Sequence, residues 1–226
     1  MIKTVKSEED LEYFGHARLE MLEYIPESCS HFLELGCGKG HFGSLVKQKR
    51  DCEYHGVELF EEVSIKAQDV LDKVFTGYVD DILPELSPST YDCIICNDVL
   101  EHLKNPFECL KDLKKVLKSG AYIVSSIPNV RYINNLRELL FKKDWEYKHE
   151  GGILDFTHLR FFTQKSIAHM YEEAGYEIIR NEGINRIENM RFSLLNALSL
   201  GYFDDTLYPQ IATVAKLKNL EPNLDI

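Results

Sequence analysis

The chain holds 226 residues, enough for one domain with elaborations, and with 44% hydrophobic and 28% charged residues it can build a packed interior, which argues against wholesale disorder. Its formal net charge of −11 disfavours a broad basic footprint for nucleic acid, because neutralising phosphates takes clustered Lys and Arg. Residues 1–10 lack the apolar core of a signal peptide and no later apolar run approaches the roughly 20 residues that span a bilayer, so a cytoplasmic setting with no membrane segment is expected.

In chain order, the pattern predicts a helix over 8–24, a strand over 31–35, a helix over 41–48, a strand over 53–59 and a helix over 61–73. Strands follow at 75–79 and 91–96, then a helix at 106–118 and a strand at 121–127. A helix at 163–174, a strand at 176–183, a helix at 190–200 and a strand at 211–217 complete the series. Strands alternating with helices describe an α/β fold, a doubly wound and mostly parallel sheet with helices on both faces. Ser119 and Gly120 read as a helix end, Thr163 as an N-cap and Gly175 as a helix close. Residues 128–162 interrupt the alternation after the fifth strand, where substrate loops belong in this architecture, and 220–226 read as a frayed polar end. The whole chain, 1–226, is read as one domain with an N-terminal helix at about 7–24.

The six cysteines, Cys29, Cys37, Cys52, Cys93, Cys96 and Cys109, are expected as reduced thiols in a cytosolic setting. Cys93 and Cys96 spell C-x-x-C, but residues three apart in a strand point to opposite faces, so they read as buried thiols and no metal site is expected.

The strongest local signal is Glu34-Leu35-Gly36-Cys37-Gly38-Lys39-Gly40, where an apolar strand runs into three glycines at alternate positions before a helix. Glycine permits positive φ and lets a ligand approach backbone N–H groups. The overlapping run Gly38 to Gly43 also spells the dinucleotide fingerprint G-x-G-x-x-G, with Glu58 about 20 residues on as a ribose-binding acid. Against a dinucleotide stands Glu34, whose carboxylate suits a cationic ligand and would repel a pyrophosphate. The charge favours an adenosyl sulfonium amino acid over NAD.

The series Glu34-x-Gly36-x-Gly38-x-Gly40 resembles the first motif of class I S-adenosylmethionine-dependent methyltransferases, a likeness that runs in order over about residues 30–180. It implies a Rossmann-like seven-stranded sheet with the last strand antiparallel and S-adenosylmethionine as cofactor. It implies, too, a cofactor site of Glu34, Gly36, Cys37, Gly38, Gly40, Glu58 and Leu59, with Asp80, Asp81 and Ile82 near adenine. Between the two acids, Asp81 fits the family spacing better. Asn97-Asp98-Val99-Leu100-Glu101-His102-Leu103 is similar to the segment after the fourth strand in the small-molecule subfamily that includes ubiquinone-biosynthesis O-methyltransferases; Asn97 and Asp98 either touch the cofactor or cap the following helix.

On the acceptor side, His102 is a candidate base or a structural helix-face histidine. Residues 151–163 crowd Asp, His and Arg among aromatics, as a loop covering a pocket would. Together with Arg131 and Tyr132, the run Asp155-x-Thr157-His158-x-Arg160-Phe161-Phe162 resembles a bacterial subgroup associated with glycan modification. That implies a small-molecule or sugar hydroxyl as acceptor; by position His158 and His102 are the catalytic candidates, and Arg131, Tyr132, Asp155 and Arg160 the acceptor-binding candidates. His158 and Arg160 could instead pin the loop or pair with Asp155. The competing readings are an NAD(P)-dependent oxidoreductase and a cofactor-binding module without catalysis. Nothing in the sequence speaks to oligomeric state.

Overall fold

A strand covered on both faces needs apolar residues at consecutive positions, and Phe32, Leu33 and Leu35 supply them in β1 (His31–Leu35). The computed structural model describes residues 17–149, 151–188 and 196–218. In it β1 is joined by β2 (Glu53–Glu58), β3 (Lys73–Thr76), β4 (Tyr91–Asn97), β5 (Leu117–Pro128), β6 (Tyr176–Ile184) and β7 (Gln210–Leu217). They form one sheet in the order β3-β2-β1-β4-β5-β7-β6. β1 to β5 pair in parallel, and β7 runs antiparallel to both β5 and β6. This is the doubly wound α/β sheet expected from the alternation, with its last strand reversed.

The helices are α1 (His41–Lys49), α2 (Glu61–Ala67), α3 (Val79–Ile82), α4 (Pro106–Val116), α5 (Ile133–Arg137) and α6 (Gln164–Glu173). One face of the sheet buries Leu33, Leu35, Ile94, Cys96 and Ile123 under α4 and α6, through Leu110, Leu113, Ile167, Met170 and Tyr171. The other face buries Phe32, Cys93, Ile95 and Val124 under Phe42 and Val46 of α1 and under Met21 and Tyr24. Cys93 and Cys96 thus fall on opposite faces as their spacing requires, and burial pushes both thiols well above their usual range. Buried tyrosines find partners: Tyr171 donates to Ser125 Oγ at 2.8 Å and Tyr176 to the Leu110 carbonyl at 2.8 Å.

Thr163 caps α6 in a reciprocal capping box with Ser166, and Gly175 follows with φ 91°. Ser119 and Gly120, expected as a helix end, lie instead inside β5. Pairing jumps from Tyr91 opposite Leu117 to Cys93 opposite Tyr122, and Gly120 takes φ 70° where the strand departs from register. The helix expected over 61–73 stops at Ala67 and β3 starts at Lys73, because Asp72 is tied to β2: its N–H donates to the Tyr54 carbonyl and its carboxylate accepts from Tyr54 N. Of the N-terminal helix expected over 8–24, residues 19–24 form a 3-10 helix and 8–16 lie outside the described residues, as do most of the helix expected at 190–200 and the tail at 220–226. No helix among the described residues is long and apolar enough to cross a membrane.

Candidate active site

Strand order reverses between β1 and β4, and in doubly wound sheets ligands bind beyond the carboxyl ends of the strands at that point. The chain leaving β1 is held there by backbone: Gly36 N and Cys37 N both donate to the Val57 carbonyl, at 2.8 and 3.1 Å. Gly36, Gly38 and Gly40 take φ of 66°, 54° and 78°, the left-handed region that side chains with a Cβ rarely occupy. A Cβ on Gly36 would stand 2.7 Å from Val99 Cγ2, so the turn closes against the segment after β4 only as glycine.

Glu58, at the end of β2, is 4% exposed and braces this turn. One carboxylate oxygen accepts from Gly38 N at 2.9 Å and the other from Phe60 N at 3.0 Å. Burial raises its pKa, and the N–H donors of Phe60, Gly38 and Leu59 oppose the rise. Leu59 is half-buried beside it. Glu34 is buried beneath the turn and accepts from the Tyr54 hydroxyl at 3.1 Å. Burial lifts its carboxyl to about 8, with the Tyr54 bond pulling down and the charge of Glu58 pushing up. Cys37 is buried against Gly56, where a Cβ would come within 2.5 Å of its sulfur, and burial raises its thiol strongly.

Asp80 and Asp81 are exposed in the first turn of α3, and Ile82 packs on the core. The strand before them ends earlier than expected, at Thr76, and Gly77 N closes the turn on the Glu58 carbonyl at 2.9 Å. At the end of β4 the Asn97 side-chain amide is buried with neither its nitrogen nor its oxygen hydrogen-bonded. Asp98, at φ 52°, is ion-paired with Arg18 and accepts from Gln210 Nε2 at 2.9 Å and Ser126 Oγ at 3.2 Å. Its carboxylate is engaged by protein groups rather than capping a helix.

On the acceptor side the structure brings His102 and His158 together, ring centroids 4.6 Å apart, although they are far apart in sequence. The peptide N–H groups of Leu159 and Arg160 donate to the Glu101 carbonyl at 2.9 and 3.1 Å, stapling the 151–163 loop to the turn after β4. Glu101 itself, part of the segment after β4 but not expected in the site, is 1% exposed with no hydrogen bond to either carboxylate oxygen, His158 Nε2 standing 4.0 Å from Oε1. Burial pushes its carboxyl up to about 8. The signal in the sequence was an acid directly between Leu100 and His102 in an apolar turn.

The other acceptor candidates have protein partners. Asp155 is buried and its Oδ1 accepts from the N–H and the hydroxyl of Thr157, at 2.7 and 2.5 Å, shaping the loop. Arg131 forms a two-point pair with Asp205, at 2.5 and 3.2 Å. Tyr132 accepts from Asn134 Nδ2 at 3.1 Å, and Arg160 reaches across the surface to the Lys104 carbonyl at 2.6 Å. Beside His158 a shallow cavity of about 270 Å³ is lined by Tyr147, Phe156, Leu159 and Phe161.

The sequence matches the family described as Methyltransferase domain over residues 7–181. The chain belongs to that family. The methyltransferase domain is 30% identical over 133 residues to a ubiquinone biosynthesis O-methyltransferase of Aliivibrio fischeri, covering 53% of each chain. It is 31% identical over 116 residues to an uncharacterized methyltransferase of Schizosaccharomyces pombe, covering 46% of this chain and 41% of that one. The chain thus spans about half the length of these curated relatives or less. A solved SAM-dependent methyltransferase from Archaeoglobus fulgidus shares the fold at TM-score 0.68 and 20% identity, over 88% of this chain and 91% of that one.

Proposed function

We propose that this methyltransferase domain binds S-adenosylmethionine at the glycine turn and methylates an oxygen of a small-molecule or sugar acceptor at the Glu101–His102–His158 face. The observation that carries the cofactor assignment is the buried, unpartnered amide of Asn97 at the same sheet edge as three left-handed glycines. An orphaned buried amide costs on the order of 1–3 kcal/mol, which a ligand reaching it would recover.

The residues fit the group. When bound, S-adenosylmethionine supplies a methyl on a positively charged sulfur. Glu58 accepts from the Gly38 and Phe60 N–H groups with the Leu59 N–H beside them, and a carboxylate offers about four acceptor positions, so capacity remains for a ribose hydroxyl. Glu34, once it gives up its proton, supplies negative charge below the turn for an ammonium group, and the family likeness assigns Asp81 or Asp80 to adenine. A pyrophosphate, by contrast, would face two buried acids.

For the acceptor, His158 Nδ1 lies 2.9 Å from the Ile153 carbonyl, so it carries the proton and leaves Nε2 as a lone pair. The neighbouring aromatics give the apolar wall against which a sugar or phenol ring packs. Arg160 is assigned a lesser, surface role in admitting the acceptor. The relative named for ubiquinone biosynthesis supports oxygen as the acceptor atom. The test is incubation with S-adenosylmethionine and a panel of sugars and phenols, reading S-adenosylhomocysteine release and product mass. Methylation confined to amines would sink the oxygen assignment.

A further inference from the structure

Among the described residues, one ligand atom each from Glu101, His102 and His158 lies within 4.8 Å of the others. We propose that these three side chains form a binding site for a divalent transition-metal ion, Zn2+ or one of similar preference. It is a site the sequence pattern did not show. The proposal deepens the acceptor-side reading above, since the ion would occupy the face assigned there to the acceptor.

The first support is Glu101. An ionisable group 1% exposed with no hydrogen bond to either oxygen is costly unless something meets it. The arginines of this neighbourhood are engaged elsewhere: Arg18 bonds Glu20 and Asp98, and Arg160 bonds the Leu159 and Lys104 carbonyls. The second support is how the imidazoles are held. His158 Nδ1 lies 2.9 Å from the Ile153 carbonyl and His102 Nδ1 lies 3.2 Å from the Thr157 carbonyl. Each ring thus has a backbone carbonyl beside Nδ1, the outer-shell arrangement common on metal-ligating histidines, and His158 Nε2 is the atom nearest Glu101.

Distances agree with that reading. His158 Nε2 stands 4.0 Å from Glu101 Oε1. Two ligands on one tetrahedral ion, each bonded at about 2.0–2.2 Å, stand roughly 3.4 Å apart, so side-chain shifts of about 1–1.5 Å close the site. The backbone already fixes the parts, because the loop carrying His158 is bonded twice to the Glu101 carbonyl. Two imidazoles and a carboxylate select zinc-like ions over the all-oxygen shells of Mg2+ and Ca2+. Three protein ligands also leave an open position, the mark of a reactive rather than a structural site. That position is open to an acceptor oxygen.

The test uses the full chain, stripped with chelator and titrated with Co2+ and then Zn2+ in the absence of cofactor and acceptor. The expected result is one Co2+ per chain with visible d–d absorption, displaced by Zn2+. Glu101→Gln, which keeps the side-chain shape, and His158→Ala should each weaken Zn2+ affinity by about 100-fold or more, with melting temperatures checked for both. Wild-type protein that takes up neither ion, or variants that bind as tightly as wild type, would overturn the site. Metal uptake is read without S-adenosylmethionine, so its failure and a failure of the methyl-transfer reading are separate results.

Discussion

The glycine turn after β1 and the Glu101 cluster after β4 lie at the same edge of one sheet, but their carboxylates are in opposite states, and of the cofactor-side groups only the Asn97 amide shares the bare condition of Glu101. Around the turn nearly everything is satisfied by protein: Glu58 bridges Gly38 N and Phe60 N, Glu34 takes the Tyr54 hydroxyl, and two peptide N–H groups share the Val57 carbonyl. Around Glu101 the backbone is satisfied and the side chain is not. A turn already braced before its ligand arrives spends little on ordering, which is how preorganised sites gain affinity. The buried Glu101 carboxyl, in contrast, has no hydrogen bond of its own, while the loop beside it is pinned to the Glu101 carbonyl.

That contrast can be broken most severely at Gly36. Gly36→Val puts a side chain at φ 66° and within 2.7 Å of Val99 Cγ2, so the turn must shift off the β4 segment. S-adenosylhomocysteine affinity should fall at least about 100-fold by calorimetry, from a strain of order 1–3 kcal/mol plus the lost approach. Next in size is His158→Ala, which should leave cofactor affinity intact and cut turnover on the acceptor by about 10² or more. Parallel loss of cofactor binding would remove the separation between the two regions. Glu58→Ala should lower cofactor affinity roughly 10- to 100-fold, the loss of charge-assisted bonds worth about 1.5–3 kcal/mol, with turnover at saturating cofactor less affected.

The mildest effect is expected at Glu34, whose folded pKa of about 8 lies above its usual 4.5. A raised acid binds its proton more tightly in the fold, so its stabilising contribution is complete below pH 4.5 and is lost as pH rises through about 8. Tyr54, Glu58 and Cys37 face it, with Cys96 also feeling its charge, and none offers a positive partner. Glu34→Gln should therefore raise the melting temperature at pH 8 by roughly 2–4 °C per kcal/mol recovered, while weakening ligand binding. Wild-type binding of the ammonium-bearing ligand should tighten as pH rises toward 8. A Glu34→Gln variant that melts lower at pH 8 would contradict the burial argument.

What was legible in the sequence follows the range of the forces involved. β1, the glycine turn and the opposite facing of Cys93 and Cys96 rest on neighbours in the chain, and period-2 alternation or positive-φ chemistry reveals them. The start of β3 was misplaced because it depends on Asp72 bonding to Tyr54, and the β5 irregularity at Gly120 because it depends on pairing with β4. Arg131 is tied to Asp205, far along the chain in the 3-10 helix Asp204–Leu207, a pairing that no local pattern announces. The meeting of Glu101 and His102 with His158 is of the same kind: two segments over 50 residues apart, joined by backbone bonds that no local pattern encodes. Glu101 was readable as an acid among leucines, and its isolation from partners was not.

The central claim is that the braced glycine turn holds S-adenosylmethionine, and equilibrium calorimetry with S-adenosylhomocysteine and with NADH tests it directly. Binding of S-adenosylhomocysteine at one site per chain, lost in Gly36→Val and weakened in Glu58→Ala, with NADH giving no comparable signal, is the predicted result. Tight NADH binding with no response to S-adenosylhomocysteine would contradict it.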